Sequence, residues 1–250
     1  MSFIKNVLGI FRRKDNYDID SIEKKYLTIT DRSKIFGFQE KFKNQYNFLF
    51  KVFGSADLDT FNKVKLIVIT DTHNFLDENE LVKLLNDHPE YDLCLLLGDH
   101  SNGDVEKVLN HIDKDKIYAL LGNHDNDYIK NYNLNSLNGN VIEVKGVKLL
   151  GIQGSFKYKP VDFPSFTQED GIAFLNDREK VDILVSHDSP FDDEKINNPA
   201  HQGLFGITYY LFKNKVKYNI HGHLHEPYRK QLVNGTTEIS LYGINYIELD

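Results

Sequence analysis

The chain has 250 residues, of which 40% are hydrophobic and 27% are charged, and its formal net charge at pH 7 is −7. This composition lies in the range of globular proteins and excludes an intrinsically disordered chain. The length suits a single α/β domain with a small appendage, and it leaves no room for a second catalytic domain.

Targeting and redox features are few. No apolar run approaches the roughly eighteen residues that a membrane span needs, so we expect no transmembrane segment. The early basic run of Arg12, Arg13 and Lys14, with no small-residue cleavage site, disfavours a secretory signal. The single cysteine, Cys94, lies in a leucine-rich run and is expected to be a buried thiol. Together these features predict a cytoplasmic protein.

The charge is distributed unevenly along the chain. Residues 1–70 carry 13 Lys and Arg against 8 Asp and Glu, a net charge of +5, whereas residues 71–250 carry 17 against 29, a net charge of −12. A body with this negative charge repels a polyanionic duplex. Long nucleic acid is therefore a possible but not a favoured substrate.

The first part of the chain, residues 1–64, has the pattern of polar loop and helix. Phe42, Tyr46, Leu49 and Phe53 follow helical spacing and predict an amphipathic helix. The segment has too few aliphatic residues for a core of its own. We therefore predict an N-terminal extension that packs on a main domain of residues 65–250. The basic amphipathic start predicts a first helix, with binding to an anionic membrane surface as an alternative.

Beyond residue 65, short β-branched or leucine-rich runs alternate with helical stretches, which is typical of α/β architecture. Predicted strands span residues 65–70, 93–97, 117–121, 147–152, 181–186 and 218–221, with further strands over 141–144, 238–241 and 246–249. Apolar residues at helical spacing predict helices around residues 81–85, 105–112 and 204–211. The Asn-Gly pairs at 138–139 and 234–235 predict two hairpin turns.

Potential metal ligands follow nearly every predicted strand. In chain order they are Asp71, His73, Asp99, Asn123, His187, His223 and His225. Because α/β sheets place their sites at the carboxyl edge, we expect these side chains to converge there. Side chains alternate along an extended chain, so Asp71 and His73 are expected to point the same way, as are His223 and His225. Glycines beside these ligands allow the chain to turn sharply at a crowded centre.

The ligand types define the chemistry of the site. Carboxylates, one amide and several imidazoles, without a thiolate, suit divalent Mn, Fe or Zn. Seven ligands are too many for one ion, whereas two ions that share a carboxylate would use them all. Two ions about 3.5–4 Å apart stabilise the attacking and leaving oxygens in phosphoryl displacement. The sequence therefore predicts two divalent metal ions, with Mn as the first choice.

The motif order closely resembles the calcineurin-like metallophosphoesterases. Asp-x-His, Gly-Asp, Gly-Asn-His-Asp, a lone His after a strand and Gly-His-x-His are all present between residues 71 and 225. The resemblance implies a sandwich of two mixed β-sheets flanked by helices, with a two-metal centre at one edge. By position, it implies Asp71, His73 and His225 as ligands of one ion, Asn123, His187 and His223 as ligands of the other, and Asp99 as the bridge.

The same resemblance implies that His124 is a general acid near the leaving-group oxygen and that Asp125 orients it. A carboxylate partner raises the pKa of an imidazole and makes it a better proton donor near neutral pH. The expected nucleophile is a hydroxide that bridges the ions, because two cations lower the pKa of bound water. Templates for a serine hydrolase elbow and for a phosphate-binding P-loop are absent from the sequence.

The residues after Asp99 bear on the substrate. Protein phosphatases of this superfamily continue the Gly-Asp block with Val-Asp-Arg-Gly, and the Arg helps to hold a phosphomonoester dianion. This chain continues with His-Ser-Asn-Gly-Asp at 100–104. The departure favours a phosphodiester, which carries a single negative charge. We therefore expect a metal-dependent phosphodiesterase that hydrolyses a small phosphodiester or a nucleotide.

Two segments are candidates for substrate contact. In the loop over 151–160, Phe156 and Tyr158 could stack on a base and Lys157 could meet phosphate, but packing explains these residues equally well. His201 lies ahead of the helix that leads to the last ligand strand, and both a substrate-side role and a packing role are open for it.

Three alternative functions remain open. In a nuclease, the basic N-terminal part would guide nucleic acid to the ions, and binding would weaken steeply with salt. A phosphomonoesterase would use the same ions. A non-catalytic metal-binding scaffold would grip a partner protein and is expected to have lost a ligand or the acid, yet none of these residues is missing.

Overall fold

A computed structural model describes residues 45–57, 62–160, 162–192, 195 and 198–250. Helices and strands alternate through most of this part of the chain. The α-helices are α1 (Gln45–Phe53), α2 (Glu78–Asp87), α3 (Asn102–Leu109), α4 (Tyr128–Tyr132), α5 (Gln168–Asn176) and α6 (Phe205–Lys213). The strands are β1 (Val64–Thr70), β2 (Leu93–Leu96), β3 (Ile117–Ala119), β4 (Asn135–Ser136), β5 (Val141–Val144), β6 (Val147–Ile152), β7 (Ser155–Phe156), β8 (Ser165–Phe166), β9 (Ile183–Ser186), β10 (Tyr218–His221), β11 (Tyr228–Gln231), β12 (Thr237–Ser240) and β13 (Gly243–Leu249).

The strands form two large mixed sheets. The first sheet has the order β13-β1-β2-β3-β4, in which β13 alone is antiparallel to its neighbour. The second has the order β11-β12-β10-β9-β6-β5, with parallel strands in the centre and an antiparallel strand at each edge. Strands β7 and β8 form a small separate pair. The sequence-based prediction of two mixed sheets flanked by helices is confirmed.

The apolar residues divide into three clusters that define the layers. One cluster fills the space between the two sheets and includes Val68 and Leu95 from the first and Val185 and Ile220 from the second. A second cluster packs the other face of the first sheet against α2, α3 and α4, and a third packs the second sheet against α5 and α6. Since both faces of each sheet are covered, the central strands are apolar along their length, as their sequences predict.

Helix α1 lies against α6. The Tyr46 ring is stacked parallel to the Phe212 ring with centroids 5.9 Å apart, and the Tyr46 hydroxyl donates to the carbonyl of Phe191 at 2.5 Å. Leu49 is buried in the same cluster. The part of the amphipathic stripe at Phe42 and the basic start of the chain lie outside the described residues, and the domain boundary at 64/65 remains a prediction.

One of the two predicted hairpins is wrong. The Asn234-Gly235 pair does join antiparallel β11 to β12. The pair at 138–139, by contrast, carries the chain from the first sheet to the second, because β4 and β5 belong to different sheets. The hairpin of this region lies between β5 and β6, where Lys145 and Gly146 have φ angles of 52° and 82°. In the described part of the chain, no helix has the length and hydropathy needed to span a membrane.

Candidate metal centre

The loops that follow β1, β2, β3, β9 and β10 meet at one edge of the sandwich. Contacts between loops join the two sheets there: the amide of His223 donates to Asp71 Oδ2 at 2.8 Å, and His187 Nδ1 lies 2.8 Å from the carbonyl oxygen of Leu97. This edge carries all seven residues that the sequence nominates as ligands. The structure therefore brings them together.

The first ligand group consists of Asp71, His73 and His225, with candidate donor atoms within 4.8 Å of one another. The Nε2 atoms of His73 and His225 are 3.2 Å apart, and His225 Nε2 lies 3.4 Å from Asp71 Oδ1. Donor atoms bound to one tetrahedral or octahedral ion lie about 3.0–3.4 Å apart, given bond lengths of about 2.1 Å. The spacing of this group suits one cation.

The second ligand group consists of Asp99, His187 and His223. Asn123 adjoins it, since its Oδ1 lies 3.0 Å from His187 Nε2. Asp99 Oδ2 lies 3.7 Å from His187 Nε2 and also 3.7 Å from His73 Nε2 of the first group. Asp99 is thus the carboxylate between the two groups, which is the position that a bridging ligand requires.

The two buried imidazoles of the second group present different ring nitrogens. His187 Nδ1 donates to the carbonyl of Leu97, which leaves Nε2 as its free acceptor. His223 Nε2 contacts the carbonyl of Ala200 at 2.6 Å, which leaves Nδ1 as the acceptor nitrogen of that ring. Such contacts on the outer nitrogen fix the tautomer and orientation of a histidine that binds a metal.

The residues present fit a pair of divalent cations. Asp71 and Asp99 are buried carboxylates, and Asp71 Oδ1 is a buried oxygen that accepts no hydrogen bond in the described residues. Burial alone would raise the pKa of Asp71, but contact with the His225 ring, the nearby His187 ring and the Thr70 hydroxyl hold that pKa well below its usual range. An ionised, under-coordinated carboxylate facing imidazole nitrogens is a ligand set for a cation.

The backbone at the ligands differs from the sequence-based expectation. Asp71, His73, Asp99, His223 and His225 all have positive φ angles, between 44° and 66°. The assumption of an extended chain at the Asp-x-His and His-x-His pairs is therefore wrong, and His223 and His225 belong to different groups. Left-handed backbone is unfavourable for residues with a Cβ and is concentrated at functional sites, where surrounding contacts maintain it.

Two glycines allow the loops to approach the ligands closely, as the sequence predicts. A Cβ on Gly122 would overlap Asp99 Oδ1 and would lie 2.7 Å from His187 Cε1. A Cβ on Gly222 would overlap the Thr70 hydroxyl and Asp71 Oδ2. Any larger residue at either position would displace a ligand carboxylate.

His124 lies at the exposed rim of the first group. Its ring meets the His73 ring edge-on with centroids 5.6 Å apart, and its amide donates to Asp99 Oδ1 at 2.8 Å. Its side chain is exposed and can reach a molecule bound over the centre. This placement is compatible with proton donation to a bound ester.

Asp125 does not orient the His124 ring. Its carboxylate accepts hydrogen bonds from the amides of Asp99, His100 and Gly122, at 2.8, 2.7 and 2.6 Å. Burial raises the pKa of Asp125 to about 7 against the effect of these donors, with a further increase from the charge of Asp99. Asp125 therefore holds the loops after β2 and β3 together, a role that the sequence analysis missed.

Asp104 is a second positioning carboxylate that the sequence analysis missed. It is buried and accepts hydrogen bonds from the Thr72 hydroxyl at 2.8 Å and from the amides of Asn74 and Leu76 at 2.7 and 3.1 Å. It thereby holds the loop after β1, which carries the candidate ligands Asp71 and His73, in place. The available signal was the Ser-x-x-Asp pattern at the start of α3, where Ser101 caps the helix by accepting from the Asp104 amide.

The predicted substrate loop after β6 is only partly correct. Phe156 is buried in the core, so of the two roles left open for it, base stacking and packing, the structure shows packing. Tyr158 is partly exposed, and its hydroxyl lies 3.4 Å from Asn123 Nδ2. Lys157 is also partly exposed. Of the aromatic pair, Tyr158 is the residue in contact with a candidate ligand.

The fold has counterparts among solved structures. Phosphopantetheinyl hydrolase from Mycobacterium tuberculosis is 12% identical, with a TM-score of 0.53, and the match covers 74% of this chain and 91% of that one. NAD nucleotidase from Haemophilus influenzae is 15% identical, with a TM-score of 0.47 over 74% of this chain and 52% of that one. The chain thus spans about half the length of the nucleotidase. At this identity the likeness to the hydrolase concerns the fold alone.

Curated proteins give no significant match to the sequence. The family model for calcineurin-like phosphoesterases, however, matches residues 64–227, about two thirds of the chain. The matched range begins with β1 and ends just beyond His225, so it includes every loop of the candidate metal centre. This chain belongs to the calcineurin-like phosphoesterase family, whose members are metal-dependent.

Proposed function

We propose that the protein is a phosphodiesterase that hydrolyses a small phosphodiester or a nucleotide with the help of two divalent cations, Mn being the first choice. The observation that carries this proposal is the position of Asp99 Oδ2, 3.7 Å from an imidazole nitrogen of each ligand group. In this proposal Asp99 would contribute to both ions, Asp71, His73 and His225 would hold one ion, and Asn123, His187 and His223 would hold the other.

When bound, such a pair of ions supplies an activated water and stabilises the attacking and leaving oxygens. The chain's own groups then have defined tasks. Hydrolysis joins the water oxygen to phosphorus and breaks the bond between phosphorus and the leaving oxygen, which needs a proton. His124 donates that proton in this proposal, because its ring lies at the exposed rim beside His73.

The positions of the arginines favour a diester over a monoester. A monoester dianion is commonly bound by a guanidinium, which offers two parallel donors. Arg178 and Arg229, the arginines of the described residues, contact Phe174 and Tyr218 instead of any candidate ligand. A phosphodiester, with one negative charge, needs less cationic support.

The test is hydrolysis of bis(nitrophenyl) phosphate and of nitrophenyl phosphate by full-length protein stripped of metal and resupplied with Mn. Diester turnover that requires Mn, and that His124→Ala slows more for a diester with a poor leaving group than for the nitrophenyl ester, would support the proposal. His111→Ala is the matched control, because His111 pairs with Glu78 on the surface. Preference for the monoester would favour a phosphatase, and cleavage of nucleic acid with a steep salt dependence would favour a nuclease. Absence of turnover in protein that holds two ions would favour a non-catalytic metal-binding scaffold for a partner protein.

A further inference from the structure

His201 is an imidazole close to the candidate metal centre that no step above uses. It ends a short 3-10 helix, Pro199–His201, that lies against the second ligand group. The His201 ring meets the His223 ring edge-on with centroids 5.1 Å apart, and the carbonyl of the preceding residue, Ala200, accepts from His223 Nε2. Both the ring and the adjoining backbone are thus in contact with a candidate ligand.

The segment that carries His201 is firmly seated on the domain. Gly203 adopts a φ of +78°, and a Cβ at this position would overlap the carbonyl of Pro190. The carbonyl of Gly203 accepts from the buried side-chain amide of Gln168 at 3.0 Å, and Leu204 N donates to the carbonyl of Ser189 at 3.0 Å. These contacts hold the backbone next to His201 in one position relative to the site.

A hydrogen bond fixes which nitrogen of His201 carries the proton. The side-chain amide nitrogen of Asn198 lies 3.0 Å from His201 Nδ1. An amide nitrogen only donates, so Nδ1 is the acceptor and Nε2 bears the hydrogen of the neutral ring. The ring is partly exposed, and within the part of the chain that the structure describes no group accepts from Nε2. His201 therefore offers an unused N–H donor.

His201 and His124 occupy related positions at the two ligand groups. His124 meets His73 of the first group edge-on, and His201 meets His223 of the second group in the same manner. Asp99 lies between the groups. A phosphate bound over both groups would therefore have one imidazole beside each.

We infer that His201 is a substrate-binding residue that donates its Nε2 hydrogen to a non-bridging oxygen of the substrate phosphate. The inference rests on the proposed function, since it names a further contact of the same site. It assigns binding of the phosphate to His201 and protonation of the leaving group to His124. A group that holds a non-bridging oxygen acts equally on substrates with good and poor leaving groups.

The experiment measures the affinity of full-length, Mn-loaded protein for inorganic phosphate by calorimetry, which requires no turnover. We expect His201→Ala to weaken phosphate binding by about 10-fold or more, the usual worth of a hydrogen bond to a charged group. His201→Gln should restore part of the loss, because its amide nitrogen can occupy the place of Nε2. His111→Ala, a histidine exchange remote from the centre, should leave the affinity unchanged.

Two further measurements accompany the titration. Metal content should remain at two ions in His201→Ala, since its contact with His223 is a ring contact and not a ligand bond. In diester hydrolysis, KM should rise more than kcat falls, and the ratio of variant to wild type should not depend on the leaving group.

Unchanged phosphate affinity in His201→Ala with both ions retained would overturn the inference. So would loss of an ion in this variant, because His201 would then support His223 and not the substrate. Hydrolysis by the wild type decides separately on the proposed function: a protein that binds phosphate through His201 but hydrolyses neither ester would overturn the proposed activity alone.

Discussion

Removal of the Asp104 carboxylate should loosen the loop after β1 and weaken the first ligand group. The carboxylate is 1% exposed and accepts three hydrogen bonds, from the Thr72 hydroxyl and from two amides of the loop. A hydrogen bond to a charged group contributes about 1.5–3 kcal/mol. Water can replace the partner of the exposed Asn74 amide but not readily that of the buried Leu76 amide. We therefore expect Asp104→Ala to lower the free energy of unfolding by about 3–5 kcal/mol.

The same change should affect the two ions unequally. The loop clamped by Asp104 carries Asp71 and His73, whereas His187 and Asn123 lie on other loops. Loss of a contact that orients a ligand commonly costs about 10- to 100-fold in metal affinity. Calorimetric titration of metal-free protein with Mn should thus show one weakened site and one nearly unchanged site. Asp104→Asn, which keeps one acceptor oxygen, should be intermediate in both measurements.

The pH dependence gives an independent check. Burial alone would raise the pKa of Asp104, but hydrogen bonds from Thr72, Leu76 and Asn74 hold it below its ordinary value. The ionised carboxylate therefore stabilises the fold fully above the ordinary pKa of an aspartate, and this contribution is lost as the pH falls through the lowered pKa. The stability difference between wild type and Asp104→Ala should shrink on acidification. If the free energies of unfolding of wild type and Asp104→Ala differ by less than about 1 kcal/mol at pH 7, and Mn binds as in wild type, then Asp104 does not hold the loop after β1 in place.

Three further predictions concern the centre itself. Asp99→Asn should lose both tight metal binding and activity, because Asp99 Oδ2 faces both ligand groups, and retention of two tightly held ions would remove its bridging role. His124→Ala should keep both ions yet slow hydrolysis by about 10²–10⁴-fold when the leaving group is poor, and much less with nitrophenolate; equal slowing for both would contradict the acid role. Gly122→Ala should disrupt metal binding because its Cβ would overlap Asp99, whereas Gly103→Ala, with no atom closer than 3.8 Å to the added Cβ, should fold and bind Mn normally; similar behaviour of the two variants in thermal unfolding and Mn titration would show that the overlap is relieved without cost.

The strands were accessible from the sequence because their chemistry is local. The apolar runs at β1 and β2 are buried on both faces, so they lack any alternation that could be mistaken for a helix. The convergence of the candidate ligands was also predictable, because they directly follow the strands and α/β sheets place their sites at the carboxyl edge. The lone buried Cys94 also agrees with the structure.

The features that escaped prediction depend on partners distant in the chain. Nothing in the residues around His73 indicates a left-handed backbone, since the contacts that hold this loop come from Asp104, about thirty residues later. Asp125 looked like the partner of the neighbouring His124, but its oxygens are taken by three amides of folded loops. The Asn-Gly pair at 138–139 is typical of a hairpin turn, but no hairpin forms there because the chain passes from the first sheet to the second.

The positive φ angles at five candidate ligands would couple the binding of cations to the folding of their loops. Each of the five candidate ligands with positive φ, namely Asp71, His73, Asp99, His223 and His225, costs about 1–2 kcal/mol, so together they oppose the native loops by about 5–10 kcal/mol. That sum is comparable to the whole free energy of unfolding of an ordinary domain. Cations that bind only the native loops shift the balance back in proportion to the logarithm of their concentration. Chelation should therefore accelerate amide hydrogen exchange first in the loops after β1 and β10, and only later in the strands.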